Sequence, residues 1–369
     1  MTTIAIIGLG TMGLGLAQLY AAAGFAVRAT DADAAIRDSA KPRLAEALAL
    51  RVTSGKLTSD ASDATLANLT VTRDLASLAP ASLAIEAIVE RLDAKHALFA
   101  DLEPLLPGAV LATNTSSLSV AAIAEGLRHP DRVIGLHFFN PVPAMKLVEL
   151  VGHKGTSPAA LTIARQLTEA AGKTVIAAPD RPGFIVNRCA RPYYGEALAM
   201  LDEGRSASDI DAAMIAVGYR LGPFQLIDLI GADINLAATE GLFAAMHHHP
   251  RYHPFLPLRR QVAIGNLGRK TGQGFIFPAD PGTAPKDAAA IALRIEATLV
   301  NEAAWLLSEG GTTTDGIDTA MKLGLNLPRG PFEILEAHGA PKIRAKLAAL
   351  EATTALRGRY VLAPMLEAA

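Results

Sequence analysis

The sequence predicts an α/β chain: a mostly parallel sheet with covering helices, followed by two related all-α units. Three observations carry this reading. Over the first ~180 residues, short apolar runs of β type alternate with longer Ala- and Leu-rich stretches, the pattern of a sheet whose crossovers are helices. From Gly183 onward β patterning nearly vanishes and helical periodicity takes over. Within that helical half the chain repeats itself. Glu196-Ala197, Asp202-Glu203-Gly204, Asp209-Ile210-Asp211, Ala213-Met214 and Gly222-Pro223-Phe224 return in the same order as Glu302-Ala303, Ser308-Glu309-Gly310, Gly316-Ile317-Asp318, Ala320-Met321 and Gly330-Pro331-Phe332. The offset is 106 residues at the glutamates and 108 at the prolines, so two small gaps separate the copies.

In chain order, strands are expected at residues 4–7, 26–30, 83–88, 110–113, 132–138 and 147–151, with long helical stretches at 12–23, 34–50 and 95–106. A last strand-like run at 174–177 leads into Pro179-Asp180-Arg181-Pro182-Gly183, a cluster of breakers that marks a domain boundary. Residues 277–285, rich in Pro and Gly, read as a linker. The expected domains are therefore 1–182, 183–283 and 284–369, the last a degenerate copy of the second.

A chain of 369 residues suits two or three domains. Half of it is hydrophobic and 19% charged, a globular rather than a disordered balance. A net charge of -2 provides no basic field for nucleic acid or an anionic membrane. The single cysteine, Cys189, excludes an internal disulfide framework and fits a reducing compartment. No apolar run approaches the roughly 18 residues that span a bilayer. Met1-Thr2-Thr3 runs straight into the first strand without a signal peptide, and Leu366-Glu367-Ala368-Ala369 matches no organelle address. A cytoplasmic location is the expectation.

Directly after the first strand stands Gly8-Leu9-Gly10-Thr11-Met12-Gly13, a G-x-G-x-x-G opening a helix. In that setting Gly8 makes the tight turn, Gly10 lets backbone approach a pyrophosphate, and Gly13 lets helix and strand pack closely. The pyrophosphate rests on the helix N-terminus, where unpaired N–H groups and the helix dipole favour negative charge. Asp31, 18 residues past Gly13 at the end of the second strand, is placed to accept from a ribose diol and to repel a 2′-phosphate, which favours NAD over NADP. Its alternative use is as a helix N-cap, a role Asp33 also fits, and nearby Arg28 and Arg37 are candidate partners for a phosphate. The first domain is thus of Rossmann type.

The second signal is Leu136-His137-Phe138-Phe139-Asn140-Pro141-Val142-Pro143-Ala144-Met145-Lys146-Leu147-Val148-Glu149, two β-type runs flanking a turn. Folding back brings His137 and Glu149 together. An imidazole suits proton removal from an alcohol, and a carboxylate on its other nitrogen fixes the tautomer and stabilises the imidazolium formed. An isolated histidine on an apolar strand is more often a core residue, and the paired Glu149 reverses that preference. Thr113-Asn114-Thr115-Ser116-Ser117-Leu118 follows a strand at the sheet edge where ligands gather, or serves as plain helix capping. In Pro182-Gly183-Phe184-Ile185-Val186-Asn187-Arg188, Asn187 is a candidate for a hydrogen bond to a substrate carbonyl. The His247-His248-His249 run with His253 lacks the geometry of a metal shell, so no metal is expected, and Trp305 reads as core.

Together these blocks resemble the L-3-hydroxyacyl-CoA dehydrogenase family, in a 3-hydroxybutyryl-CoA dehydrogenase-like form with a second helical copy. The similarity runs from the first strand to about Phe277 and includes Ile88-Val89-Glu90 and Lys270-Thr271-Gly272-Gln273-Gly274-Phe275. The resemblance implies NAD-dependent oxidation of a CoA thioester in fatty-acid or aromatic-acid catabolism, with His137 as general base, Glu149 as its partner, Ser116 on the reacting oxygen and Asn187 positioning the substrate. It implies Asp31, Glu90, Lys95 and Lys270 on the cofactor side besides the glycine loop, and Ser54 or Lys56 at the CoA phosphates, where a solvated Lys56 is the plainer alternative. It implies a homodimer, with a monomer as the alternative because the second copy is placed to cover a partner's surface. That copy lacks the Pro-Gly-Phe-Ile-Val-Asn-Arg block and is expected to be non-catalytic. Arg188 or Arg191 are candidates for the second carboxylate of a dicarboxylyl chain. The competing readings are a β-hydroxyacid dehydrogenase acting on a free acid and a non-catalytic NAD-binding relative.

Overall fold

A computed structural model describes residues 2–367, so the terminal Ala368 and Ala369 of the chain-end reading lie outside the described residues, as does Met1. The chain divides into two compact units, the first ending at Arg181 and the second beginning at Pro182.

In the first unit β1 (Thr3–Ile7), α1 (Thr11–Ala22), β2 (Ala26–Thr30), α2 (Ala34–Thr53), α3 (Ser59–Ala67), β3 (Leu69–Val71) and β4 (Leu83–Glu86) are followed by α4 (Leu92–Leu105), β5 (Val110–Thr113), α5 (Val120–Ala124), β6 (Val133–Phe138), β7 (Leu147–Gly152), α6 (Pro158–Ala170) and β8 (Thr174–Pro179). The eight strands form one sheet in the order β3-β2-β1-β4-β5-β6-β7-β8. Pairing is parallel from β3 to β6 and again between β7 and β8, whereas β6 and β7 are antiparallel, so the sheet is mixed. Strand order reverses between β1 and β4, and the glycine loop leaves β1 at that switch point, where open sheets of this kind bind ligands. Ile4, Ile6, Leu83, Ile85, Ala112, Ile134 and Leu136 form the sheet's core with Leu16 and Tyr20 of α1 and Leu44 of α2. Nearly continuous apolar strands are what a sheet covered on both faces requires.

The strand expected at residues 83–88 stops at Glu86. Its buried carboxylate accepts from Ile88 N (2.7 Å), Lys95 Nζ (2.6 Å) and Thr113 Oγ1 (2.8 Å), and it turns the chain out of the ladder. Sequence patterning also missed α3 and β3. Three residues of mixed burial at an edge carry too little periodicity to read.

The second unit is helical: α7 (Val186–Cys189), α8 (Arg191–Asp202), α9 (Ala207–Ala216), α10 (Pro223–Ile230), α11 (Ala232–Ala245), α12 (Leu256–Ala263), α13 (Ala288–Ser308), α14 (Thr314–Leu325), α15 (Pro331–His338), α16 (Ala340–Thr353) and α17 (Pro364–Glu367). Residues 274–287 are irregular. Helix α13, which opens the second repeat, packs against α8 and α9 of the first as well as α15, α16 and α17 of its own.

The repeat explains how this unit holds together. Glu196 and Glu302 occupy equivalent positions and are both buried, where a carboxylate persists only when paired. Glu302 accepts from Arg188 Nε (2.7 Å), Arg251 Nε (3.0 Å) and Tyr252 OH (2.6 Å), all in the first copy. Glu196 accepts from Arg294 Nε (2.6 Å), Arg359 Nη2 (3.2 Å) and Tyr360 OH (2.8 Å), all in the second. Arg188 also grips Glu309, as Arg294 grips Glu203. Each copy thus supplies the cations for the other's carboxylate, the reciprocity of a two-fold interface inside one chain.

The repeated Gly-Pro-Phe has a local cause. Asp211 accepts from the N–H groups of Phe224 (3.0 Å) and Gln225 (2.7 Å) at the start of α10, and Asp318 does the same for Phe332 (2.8 Å) and Glu333 (3.1 Å) at α15. A Cβ on Gly222 would lie 2.2 Å from the Asp211 carboxyl carbon, and one on Gly330 2.3 Å from that of Asp318, so only glycine fits. Proline at the next position lacks an N–H that would otherwise go unpaired. Burial outweighs the two hydrogen bonds at Asp211 and raises its pKa to about 7.

Candidate active site

The glycine loop is built by close approach. Gly8 has φ +93°, and a Cβ there would sit 2.5 Å from the Ala87 carbonyl oxygen, while a Cβ on Gly13 would sit 1.7 Å from that of Gly8. Around Gly10, by contrast, the corresponding space is open to 4 Å. Thr11 and Met12 form the first turn of α1, whose N-cap Gly10 lacks a side-chain cap. The loop therefore keeps helix and strand tight while leaving its outer face to a phosphate, which fits a dinucleotide.

Asp31 closes the other side. Its Oδ2 accepts from Leu9 N (2.7 Å) and its Oδ1 from Asp33 N (2.9 Å), while Asp33 itself caps α2. Arg28 donates to the carbonyls of Ser77 (3.2 Å) and Ala79, and Arg37 to those of Asp31 (2.5 Å) and Ala32 (3.0 Å). Both arginines are thus spent on backbone next to a carboxylate, the arrangement that favours a free ribose diol over a 2′-phosphate.

At the end of β5 the chain gathers on Glu90. Its Oε1 accepts from Thr115 Oγ1 (2.6 Å), Ser116 N (3.0 Å) and Ser117 Oγ (2.9 Å), and its Oε2 lies 3.2 Å from Lys95 Nζ. Burial works against the charge on Glu90, but these donors and the Lys95 cation prevail and hold its pKa below the ordinary carboxylate range. Lys95 is itself only 1% exposed, with its ammonium shared between Glu86 and Glu90, so it stands behind Glu90.

The strands β6 and β7 place His137 directly opposite Glu149. The imidazole Nδ1 lies 2.5 Å from Glu149 Oε2, the carboxylate is fully buried, and His137 keeps 6% of its surface. Since a carboxylate only accepts, Nδ1 carries a proton toward Glu149, which in the neutral ring makes Nε2 the accepting nitrogen, the tautomer a general base needs. Two residues that sequence reasoning missed hold this hairpin. Asn114 Oδ1 accepts from Phe138 N (2.9 Å), tying the end of β5 to the residue after the histidine. Lys173, buried just before β8, donates to the carbonyls of Val142 (2.5 Å) and Met145 (2.6 Å) in the turn between the two strands. Burial pulls the pKa of Lys173 down to about 8. Asn114 stood inside a block already singled out, whereas nothing in sequence ties Lys173 to the turn.

The remaining candidates lie on other elements. Ser54 caps α2, with its Oγ bonded to the Arg51 carbonyl (3.1 Å), and Lys56 is exposed in the turn to α3. Neither shares a hydrogen bond with the His137 cluster. In the helical unit Asn187 is half-buried in α7, and Lys270 Nζ pairs with the Asp233 carboxylate (2.5 and 2.6 Å). Arg188, a candidate for a second substrate carboxylate, is not available for one: it is fully buried and already pairs with Glu302 and Glu309. Trp305 packs beside the second copy's core under the Arg251 guanidinium. Among the described residues no group of three or more His, Cys, Asp or Glu is placed to hold a metal ion, and no helix is long and apolar enough to cross a membrane.

Residues 3–181 match the 3-hydroxyacyl-CoA dehydrogenase NAD binding domain, and residues 183–277 and 291–368 match the C-terminal domain of the same family. A 3-hydroxyadipyl-CoA dehydrogenase of Escherichia coli is 45% identical over 275 residues, which cover 74% of this chain and 58% of that protein's own length. A 3-hydroxybutyryl-CoA dehydrogenase of Mycobacterium tuberculosis is 38% identical over 277 residues, 74% of this chain and 96% of that one. The crystal structure of 3-hydroxybutyryl-CoA dehydrogenase from Escherichia coli superposes with a TM-score of 0.92 at 32% identity, covering 100% of this chain and 98% of that one. The chain belongs to the 3-hydroxyacyl-CoA dehydrogenase family and is an NAD-dependent oxidoreductase of that family.

Proposed function

We propose that this chain oxidises the 3-hydroxyl of an L-3-hydroxyacyl-CoA to a ketone, with His137 as general base. The observation that carries this is the 2.5 Å contact between His137 Nδ1 and the buried Glu149. His137 Nε2 takes the hydroxyl proton as the bond from C3 to oxygen becomes double, and the hydrogen on C3 leaves with its electron pair. Bound NAD⁺ supplies the acceptor for that hydride. Glu149 stabilises the imidazolium that forms, and this general base step contributes ~10²–10⁴-fold to rate. Ser116 is assigned to the reacting oxygen and Asn187 to the substrate carbonyl. Gly8, Gly10, Thr11, Met12 and Gly13 hold the cofactor pyrophosphate, Asp31 the adenosine ribose, and Glu90, Lys95 and Lys270 complete the cofactor side, with Lys95 acting through Glu90. Ser54 or Lys56 meets the CoA phosphates.

The 45% identity to a protein named for 3-hydroxyadipyl-CoA supports a dicarboxylyl chain as the preferred acyl group. The enzyme is assigned to the cytoplasm and to a three-domain plan of 1–182, 183–283 and 284–369, the last a non-catalytic copy. A homodimer is the assembly expected from sequence. The reciprocal pairing of Glu196 and Glu302 within one chain favours the monomeric alternative, and the mass in solution distinguishes them.

The test is NADH formation from 3-hydroxybutyryl-CoA and 3-hydroxyadipyl-CoA with NAD⁺ and NADP⁺ compared. His137→Gln is expected to remove most turnover and leave NAD binding intact. Normal turnover in that variant overturns the assignment.

A further inference from the structure

One group in the helical unit has no use in the scheme above. Arg191 is 8% exposed at the start of α8, and among the described residues none of its partners is a carboxylate. Its Nε donates to the Asn187 carbonyl (3.0 Å), and its Nη1 to Thr239 Oγ1 (3.0 Å) and, at 3.5 Å, to the Asn235 carbonyl. The Tyr194 ring lies 5.0 Å from its guanidinium carbon. Asn235 and Thr239 are themselves buried. Burial lowers the pKa of Arg191, and among the described residues only the Tyr194 side chain works against that shift. A buried cation with only neutral partners is unusual, because desolvating a charge is expensive unless an opposite charge comes with it.

The repeat supplies an internal control. At the pairing offset of 106, Arg191 corresponds to Ala297; at the offset of 108 between α11 and α16, Asn235 and Thr239 correspond to Ile343 and Leu347. In the second copy these three positions belong to a fully buried apolar cluster. The same helical scaffold is therefore built there from Ala, Ile and Leu. The polar, cationic version in the first copy is not required by the fold, and it costs more than the apolar one. The other buried arginines of the unit, Arg188 and Arg359, have glutamate partners, so Arg191 departs from the local rule as well.

We infer that Arg191, with Thr239 and Asn235 beside it, forms a carboxylate-receiving site that reads the distal carboxylate of a dicarboxylyl-CoA substrate. This rests on the proposed function, in which Asn187 meets the substrate near the thioester. Arg191 opens α8 four residues after Asn187, which lies in α7, and its Nε bonds the Asn187 carbonyl, so the guanidinium lies beside the residue assigned to the substrate. A diacid substrate held at one end by Asn187 is therefore within a chain's length of the guanidinium, which is placed to receive its second carboxylate. Arg191 is a specificity residue on this reading: it touches the far end of the substrate, not the reacting atoms. The CoA phosphates are a second source of anionic charge, and the test separates the two.

The experiment compares kcat/KM for 3-hydroxyadipyl-CoA and 3-hydroxybutyryl-CoA, which share the CoA moiety and differ in the distal carboxylate. In Arg191→Met the ratio of the two values is expected to fall about 10- to 100-fold, the size of a lost charged hydrogen bond, with the loss chiefly in KM for the diacid. Arg191→Lys keeps the charge and should restore part of the ratio, and it carries the test if Arg191→Met does not fold. Equal losses on both substrates assign Arg191 to CoA or to structure and overturn the inference. So does a wild-type enzyme that turns over the butyryl ester but not the adipyl one. A wild-type protein that oxidises neither ester defeats the proposed function instead.

Discussion

Replacing Glu149 by glutamine is the most exacting test of the catalytic dyad, because it changes charge and hydrogen bonding while preserving volume in a fully buried position. In the wild type a carboxylate 2.5 Å from Nδ1 fixes the ring proton there and faces the positive charge that develops during proton transfer. A hydrogen bond to a charged group contributes about 1.5–3 kcal/mol. If that bond matters only once the imidazolium forms, its loss lowers kcat about 10- to 150-fold. Glutamine brings a second penalty. Its amide is able to donate to Nδ1, which moves the ring proton to Nε2 and removes the lone pair that accepts the substrate proton. With both effects the expected fall in kcat is about 10²–10⁴-fold. Steady-state NADH absorbance at saturating substrate measures it, and fluorescence titration should show NAD binding unchanged. The double variant His137→Gln/Glu149→Gln should be no slower than His137→Gln alone, since the carboxylate acts through the ring. A folded Glu149→Gln enzyme within about threefold of wild-type kcat would refute the reasoning.

Lys173→Met leaves the Val142 and Met145 carbonyls without their donor; at about 1–3 kcal/mol for each unsatisfied buried group, Tm should fall by several degrees and kcat with it, and a variant with unaltered Tm and kcat would contradict the clamp. Because burial sets the Lys173 pKa to about 8, against an ordinary 10.5, the folded chain releases its proton first and the unfolded chain binds more protons in between; wild-type stability relative to Lys173→Met should therefore rise from pH 8 to 10.5, and parallel denaturation curves across that window would sink the idea. Glu302→Gln and Glu196→Gln each remove a buried carboxylate shared by two arginines, at a cost of about 3–5 kcal/mol, so calorimetry should find comparable Tm losses of roughly 6–20 °C, whereas a loss in only one of them would break the equivalence of the two copies. Gly13→Ala forces a Cβ onto the Gly8 carbonyl and should abolish NAD binding in a titration; retained affinity would remove the tight loop from the cofactor site.

Much of this was legible because the chemistry imposes local patterns. A glycine loop built by close backbone approach leaves glycines at fixed offsets, and a hairpin that sets two side chains directly opposite each other leaves His137 and Glu149 on either side of a turn. The repeat was legible for a similar reason: an aspartate capping the next helix forces glycine where its carboxylate sits, and the following proline and phenylalanine mark the spot. What escaped depends on distances that sequence does not carry. Lys173 reaches carbonyls some thirty positions upstream, and a lone lysine before a strand looks like any solvated one. The same blindness affected Arg188, which looked free beside Asn187 but is claimed by glutamates more than a hundred residues away. The strand at 83–88 was read too long because Glu86 ends the ladder with side-chain bonds, not with a breaker residue.

The two helical copies differ in an instructive way. Every residue of the reciprocal pairing survives in both: Arg188 with Arg294, Glu196 with Glu302, Glu203 with Glu309, Arg251 with Arg359, Tyr252 with Tyr360. Such a network is a poor source of net stability compared with apolar packing, yet losing either buried glutamate takes a counter-charge from two arginines at once, so the set resists piecemeal change. Carrying both halves on one chain makes their association intramolecular and independent of protein concentration. The second copy is thus held to the first by positions it cannot change singly, while positions outside the network were free to diverge. There Ala297, Ile343 and Leu347 settled into an ordinary core, and Arg191, Asn235 and Thr239 remain polar at a cost that folding alone does not explain. The asymmetry between copies separates what the fold needs from what the substrate needs.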